Sequence, residues 1–262
     1  MLKKMILRMF QRFGYQLLRS PDEILKRGPE WDDAFALVYK ACQPYTMTAP
    51  YRILAMYKAS LYVAENRIPG NIVECGVWRG GSMMIAAMAL LASGDLRPDL
   101  YLFDTFEGMS EPTNRDIDGS GNPIAETLAK ILKTRESLWC VAPLDDVKAN
   151  VEGTGYPVDR IHYVKGKVED TLPATAPTTI SLLRIDVDWY EPTLHCLQTL
   201  YPRLVPGGVL ILDDYSDWPG AQQATDEYFA AVSPSPLLVP IDSSARLVIK
   251  TSDQVAVKLG TS

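Results

Sequence analysis

The segment Val73-Glu74-Cys75-Gly76-Val77-Trp78-Arg79-Gly80-Gly81 decides the fold. The apolar run 72–77 predicts a buried β-strand, and the glycines that follow predict a tight turn into a helix over 83–91. In doubly wound α/β sheets, a strand, turn and helix of this kind form a nucleotide-type site at the carboxyl end of the first strand. The glycines do not follow the GxGxxG order, so the phosphate cradle of dinucleotide-binding enzymes is not predicted.

Helical and strand patterns alternate from residue 45 onward, as is typical of a parallel sheet covered by helices. The strands predicted after the first are 100–104, 160–164, 179–186 and 209–213, with 237–241 and 245–251 as a closing antiparallel pair. The other predicted helices are 50–66, 191–204 and 221–232. The sequence therefore predicts an α/β fold with a doubly wound, mostly parallel, seven-stranded Rossmann-like sheet.

The domain organisation predicted from these patterns is simple. Residues 45–262 form one domain, and residues 1–44 form an N-terminal helical extension. Within the domain, residues 107–135 are rich in Gly, Pro, Asn and acidic residues and have weak periodicity. We interpret them as a long surface loop passing into a helix, which could act as an active-site lid.

Composition excludes several classes of protein. Of the 262 residues, 47% are apolar and 22% charged, which is ordinary globular usage, and no apolar run is long enough to span a bilayer. The net charge of −6 argues against a nucleic-acid partner, because such proteins need a basic footprint. The four cysteines have no metal-ligand or disulfide spacing, which predicts a reducing, cytoplasmic location.

Residues 1–20 carry five basic residues and no acidic one, and their apolar residues recur at helical spacing. They predict a basic amphipathic helix, for which two interpretations remain. The favoured one is packing against the domain or a second subunit in a homo-oligomer, in particular a dimer. The other is contact with an anionic membrane surface.

The second predicted strand ends in Asp104, about 30 residues after Glu74. A carboxylate at this strand end is placed to accept hydrogen bonds from both ribose hydroxyls of a nucleoside. Alternatively, Asp104 caps a helix or a turn, which is a common role of aspartate. Taken with the glycine-rich turn, Asp104 favours a nucleoside ligand.

Three segments resemble motifs of the macrocin O-methyltransferase (TylF-like) family: 73–81, Phe103-Asp104-Thr105-Phe106-Glu107-Gly108-Met109, and Tyr45-Thr46-Met47-Thr48. The resemblance covers roughly residues 45–250. It implies a class I methyltransferase that transfers a methyl group from S-adenosylmethionine to sugar hydroxyls of antibiotics. It also implies that the cofactor lies over the 76–82 turn, with its ribose on Asp104 and its methionine end near Thr46, Met47 and Glu74. The cofactor-binding residues expected on this basis are Thr46, Met47, Glu74, Gly76, Trp78, Gly80, Ser82 and Asp104.

Two acidic clusters follow the predicted strands 179–186 and 209–213: Asp186 with Asp188, and Asp213 with Asp214. In an open α/β sheet both clusters face the ligand crevice, where their carboxylates would repel one another unless a cation were present. Oxygen ligands suit Mg²⁺, or Ca²⁺ or Mn²⁺, better than zinc. The family resemblance implies that Asp186, Asp213 and Asp214 are the metal ligands. Asp188 either joins them or caps the next helix.

These features predict a metal-dependent O-methyltransferase acting on a hydroxyl, with a small-molecule or glycoside acceptor, most simply a sugar in a natural product or glycan. A metal ion would lower the pKa of the hydroxyl and orient it. Asp186 is the first candidate for the catalytic base, and His195 is the second. Two alternatives remain: methylation of a non-sugar, catechol-like diol, and a non-catalytic scaffold that binds the cofactor.

Overall fold

The computed structural model describes residues 31–118, 120–126, 128, 140–251 and 255–256. The amphipathic helix predicted over residues 1–20 lies outside these residues, so both interpretations of it stay predictions. Within the described part of the chain, no helix has the length and apolar character needed to cross a membrane.

A seven-stranded sheet with the order β3-β2-β1-β4-β5-β8-β7 forms the centre of the fold. The five strands from β3 to β5 are parallel, whereas β8 and β7 close the sheet as an antiparallel pair. This arrangement confirms the predicted doubly wound, Rossmann-like sheet. The strands are β1 Asn71–Cys75, β2 Leu100–Asp104, β3 Ile161–Lys165, β4 Ile180–Ile185, β5 Leu204–Leu212, β6 Val232–Ser233, β7 Val239–Pro240, β8 Arg246–Ile249 and β9 Val255–Ala256, of which β6 and β9 pair separately.

Helices cover both faces of the sheet. Alternate side chains of the central strands pack into two separate hydrophobic cores, one on each face. For example, Ile72 of β1 packs with the helices α1–α4, whereas the adjacent Val73 packs with α5–α7. The helices are α1 Asp33–Cys42, α2 Pro50–Glu65, α3 Gly81–Ser93, α4 Leu144–Glu152, α5 Val168–Thr171, α6 Tyr190–Leu200 and α7 Pro219–Ala230. Because α1 buries Phe35 and Cys42 completely in the first core, it is packed against the sheet domain. The division of the chain at residue 44 stays a prediction.

Two element boundaries differ from the prediction by more than two residues. The helix predicted over 191–204 ends at Leu200, because Pro202 follows in a short 3-10 turn and cannot continue the helical hydrogen bonds. The strand predicted from residue 209 begins at Leu204, which pairs with Ile180 ahead of an irregularity in the register. Gly207 lies within this longer strand with a φ of 81°, a conformation that suits glycine.

The described part of the predicted lid is attached to the start of α6. The indole nitrogen of Trp189 donates a hydrogen bond to the carbonyl of Ser110 at 2.8 Å. The carboxylate of Asp116 accepts the backbone N–H of Tyr190, also at 2.8 Å, and so satisfies a free donor at the helix N-terminus. Trp189 further packs on Ile124. This part of the loop is therefore a wall beside the sheet edge, and its movement as a lid stays a prediction.

Candidate active site

The carboxyl ends of β1, β4 and β5 bring the sequence motifs together. These strands are neighbours in the sheet, and the backbone hydrogen bonds continue past their ends: the N–H of Asp186 reaches the carbonyl of Cys75 at 2.9 Å, and that of Asp213 reaches Ile185 at 3.0 Å. The glycine-rich turn and both acidic clusters therefore share one edge of the sheet.

Two glycines of the turn are required by close packing. Gly76 has a φ of 81°, and a Cβ there would lie 1.7 Å from the carbonyl oxygen of Asp186. Gly80 has a φ of 88°, and its Cβ would lie 2.7 Å from a methyl group of Val151 on α4. Gly80 therefore serves the packing of α4 beneath the turn, and it does not line the cavities described below.

A first cavity of about 760 Å³, including its open mouth, extends from the turn across the ends of β2 and β3. Of the residues predicted to bind the cofactor, it is lined by Met47, Gly76, Trp78 and Asp104. Further lining residues that were not predicted from the sequence are Lys167, Val168 and Glu169 after β3, and Cys140. A signal was available in Gly166, which follows a strand in the same way as Gly76 does.

Asp104 supports the glycine turn as well as lining this cavity. Its Oδ2 accepts the backbone N–H groups of Val77 at 2.6 Å and Trp78 at 3.1 Å, and its Oδ1 accepts that of Phe106 at 2.7 Å. Each carboxylate oxygen has two lone pairs, so these bonds leave capacity for a ligand hydroxyl. Asp104 therefore caps the turn, and Oδ1 keeps room for one ribose hydroxyl, whereas a bond to both hydroxyls stays a prediction.

Glu74 lies beneath the site and does not line either cavity. It pairs in register with Arg184 on β4, and the two side chains form an ion pair at 2.5 Å. Burial raises the pKa of Glu74, whereas the charge of Arg184 lowers it by stabilising the carboxylate. The side chain of Glu74 therefore contacts Arg184 directly. Its contact with the methionine end of a cofactor stays a prediction.

A second cavity of about 580 Å³ adjoins the first and contains the acidic clusters. The two cavities share Met47, Trp78, Asp186 and Asp188 as lining residues. Thr46 and Ser82, both predicted to bind the cofactor, also line the second cavity.

Asp186, Asp213 and Asp214 each present one carboxylate oxygen to the second cavity, and these oxygens lie within 4.8 Å of one another. Burial raises the pKa of Asp186, against the effect of Arg184, and burial together with the neighbouring carboxylates raises that of Asp214. Three carboxylate oxygens this close together are a donor set that fits a hard divalent cation. The structure therefore brings together the three residues predicted as metal ligands.

Two arginines partly neutralise this cluster, and the sequence analysis missed both. Arg184, whose side chain is only 3% exposed, contacts Asp186 at 2.8 Å and Asp213 at 2.6 Å. Arg52 at the start of α2 contacts the other oxygen of Asp213 at 2.7 Å. The only sequence signal for Arg184 was a charged residue inside an otherwise apolar strand.

Asp188 does not cap the next helix. The N-cap of α6 is Trp189, which makes no side-chain capping bond. Asp188 has a φ of 62°, and its Oδ1 accepts a hydrogen bond from the indole of Trp218 at 2.8 Å. It faces both cavities, and burial raises its pKa to about 7. Asp188 thus joins the acidic cluster, although it is not one of the three converging ligands.

Both histidines lie outside the two cavities. His195 is on α6 and lines neither of them, and His162 on β3 contacts Asp99 at the opposite, amino-terminal edge of the sheet. Among the residues considered as catalytic base, Asp186 alone lines both cavities, with a side chain that is 28% exposed.

The fold and the cavity at the ends of β1 and β2 are those of a Rossmann-like methyltransferase. The family model for macrocin O-methyltransferase (TylF) matches residues 15–247. The chain therefore belongs to this family, whose activity is S-adenosylmethionine-dependent O-methylation. The match extends further toward the N-terminus than the resemblance found in the sequence.

Named relatives are O-methyltransferases of natural products. The chain is 36% identical over 154 residues, 59% of its length, to 8-demethyl-8-(2,3-dimethoxy-alpha-L-rhamnosyl)-tetracenomycin-C 4'-O-methyltransferase of Streptomyces olivaceus, and this match spans 56% of that protein. It is 32% identical to mycinamicin III 3''-O-methyltransferase of Micromonospora griseorubida, over 76% of this chain and 75% of the relative. The solved structure of the O-methyltransferase NovP matches with a TM-score of 0.68 and 29% identity, over 79% of this chain and 82% of NovP.

Proposed function

We propose that this protein transfers the methyl group of S-adenosylmethionine to a hydroxyl group of a sugar in a natural product or glycan, and that it needs a divalent ion, in the first place Mg²⁺. The observation that carries the proposal is the pair of adjoining cavities that share Asp186. One has the size and strand-end carboxylate that suit a nucleoside, and the other has three carboxylate oxygens within 4.8 Å.

The residues present fit both groups. The cofactor would lie over Gly76, with its ribose at Asp104 and its adenine toward the wall at 167–169. Thr46, Met47 and Ser82 would face its methionine end, where the two cavities meet. The metal would be held by Asp186, Asp213 and Asp214. Bound there, it would act as a Lewis acid that lowers the pKa of the acceptor hydroxyl.

In this reaction the residues of the chain would hold the acceptor and take the proton from its hydroxyl group. Asp186 reaches both cavities, so its carboxylate is placed to accept the proton that the hydroxyl loses as its oxygen bonds to the methyl carbon. Positioning the hydroxyl in line with the methyl group supplies much of the acceleration.

The acceptor class is tested by incubating the purified protein with labelled S-adenosylmethionine and Mg²⁺ in the presence of three groups of acceptors. These are glycosides such as rhamnosyl tetracenomycins, simple catechols, and the aglycones without their sugar. We expect label only on the glycosides, because one relative is named for methylating a rhamnosyl natural product. Label on the catechols instead would support the non-sugar alternative.

We expect Asp104→Ala to weaken binding of S-adenosylhomocysteine by at least about tenfold. The variant loses a charged partner of the ribose, and such a bond contributes about 1.5–3 kcal/mol. Calorimetric titration measures the affinity. Asp118→Ala is the matched control, because Asp118 also accepts backbone N–H groups in a turn but lies outside both cavities. Wild-type affinity in Asp104→Ala would refute the ribose assignment.

We also propose that the protein is a dimer and that residues 1–20 contribute to the subunit contact. Deleting them would then expose apolar surface and shift the protein toward the monomer, which light scattering measures. An unchanged mass together with lost sedimentation on anionic vesicles would favour the membrane interpretation instead.

A further inference from the structure

Arg52 has an unusual set of partners for a residue beside a cation site. Its guanidinium contacts three carboxylates: Asp213 at 2.7 Å, Asp217 at 3.1 Å and Asp242 at 2.7 Å. Its side chain is 12% exposed, and it lines the second cavity. Arg52 therefore binds one of the three proposed metal ligands from the side of the cavity.

Asp213 is held between two guanidinium groups. Its Oδ1 accepts from Arg184 at 2.6 Å, and its Oδ2 accepts from Arg52 at 2.7 Å. A divalent ion that binds Asp213 would lie close to the guanidinium groups that contact the same carboxylate. At this depth the repulsion between the two cations is screened only partly.

The two arginines differ in how easily they can release Asp213. Arg184 also pairs with Glu74, which is 1% exposed, so its departure would leave a buried carboxylate without its counter-ion. The other two partners of Arg52 lie outside the three-carboxylate group, and one of them, Asp217, is 51% exposed. Arg52 can therefore release Asp213 and stay paired with Asp217 and Asp242.

We propose that Arg52 is a built-in competitor of the divalent ion: it neutralises Asp213 in the ion-free site, and its contact with Oδ2 opposes ligation of the ion by the same carboxylate. This inference rests on the proposed function, because it assumes that the ion binds at Asp186, Asp213 and Asp214. Its consequence is that Arg52 lowers the affinity of the site for the ion and keeps the ion exchangeable. Arg52 is thus a positioning residue.

The test is a titration of the full-length chain with Mn²⁺, without cofactor or acceptor, in which electron paramagnetic resonance measures the free ion. We expect Arg52→Met to bind Mn²⁺ about tenfold more tightly than the wild type, which corresponds to about 1.4 kcal/mol. Arg52→Lys keeps the charge and should remain near the wild type. Arg97→Met is the control for net charge, because Arg97 pairs with Asp95 before β2, away from the site, and it should leave the affinity unchanged.

If Arg52→Met does not fold, Arg52→Gln, which keeps a donor for Asp242, gives the same readout. Equal or weaker Mn²⁺ binding in a folded Arg52→Met or Arg52→Gln variant would overturn the inference. Asp214→Asn separates this failure from that of the proposed function. If the wild type binds Mn²⁺ and Asp214→Asn does not, the ion site is established independently of Arg52. If the two proteins bind Mn²⁺ equally, both the ion site and the inference are overturned.

Discussion

Asp214→Asn is expected to lower the rate of methyl transfer on the order of a hundredfold while leaving the affinity for S-adenosylhomocysteine close to that of the wild type. Asp214 lines only the second cavity, whereas Asp104 and Gly76 line only the first. The substitution removes the charge of a proposed metal ligand. It keeps a side-chain oxygen that can accept the hydrogen bond from the backbone N–H of Asp188, which lies 3.1 Å from Oδ2 of Asp214 in the wild type. Labelled methyl transfer and calorimetry measure the two quantities.

The matched control for this prediction is Asp226→Asn. Asp226 lies on α7 and accepts a hydrogen bond from Tyr215, outside both cavities. Asp226→Asn should therefore have the wild-type rate of methyl transfer. Wild-type turnover by Asp214→Asn would show that the three-carboxylate group has no role in the reaction. A parallel loss of cofactor affinity would show that the two cavities do not act separately.

Arg184→Met is expected to lower the free energy of unfolding by about 3–5 kcal/mol, because removing one partner of a buried ion pair leaves the other charge uncompensated. Arg184 is 3% exposed and contacts three carboxylates, on Glu74, Asp186 and Asp213. Methionine keeps most of the side-chain volume, so the loss measures the charge rather than a cavity. Urea unfolding followed by circular dichroism gives the free energy.

Arg97→Met serves as the comparison for Arg184→Met as well. Its pair with Asp95 is exposed to solvent, and such pairs contribute little to stability. Equal unfolding midpoints for the two variants would mean that Arg184 is not the internal counter-ion of the site. Bound S-adenosylhomocysteine can be added if Arg184→Met is too unstable to purify, since a ligand of the folded state shifts the equilibrium toward it.

The sheet was predictable from the sequence because its strands carry local signals. The strand patterns and the glycines after β1 predicted the seven strands of the main sheet and its antiparallel closing pair. The convergence of Asp186 and Asp213 followed from the rule that parallel strands end at the same edge. Their common face follows from the two-residue period, since each lies two residues after a paired strand residue, Arg184 and Ile211.

The arginines and α4 could not be predicted in this way, because their roles depend on distant partners. Arg52 meets a carboxylate 161 residues away, and no local pattern indicates such a pair. The nine-residue helix α4 is too short to be stable alone, and it depends on packing beneath Gly80 and on the Arg79–Asp146 ion pair. For Glu74, the sequence shows the position in the motif, and its pairing with Arg184 on the neighbouring strand is visible only in the structure.

The most direct test of the central claim is methyl transfer from labelled S-adenosylmethionine to the glycoside acceptors before and after exhaustive treatment with a chelator. We predict that label appears on a sugar hydroxyl, that the chelator abolishes the transfer, and that added Mg²⁺ restores it. Transfer that continues undiminished after chelation would contradict the role of Asp186, Asp213 and Asp214 as metal ligands, and transfer to none of the glycosides would contradict the assignment of a sugar acceptor.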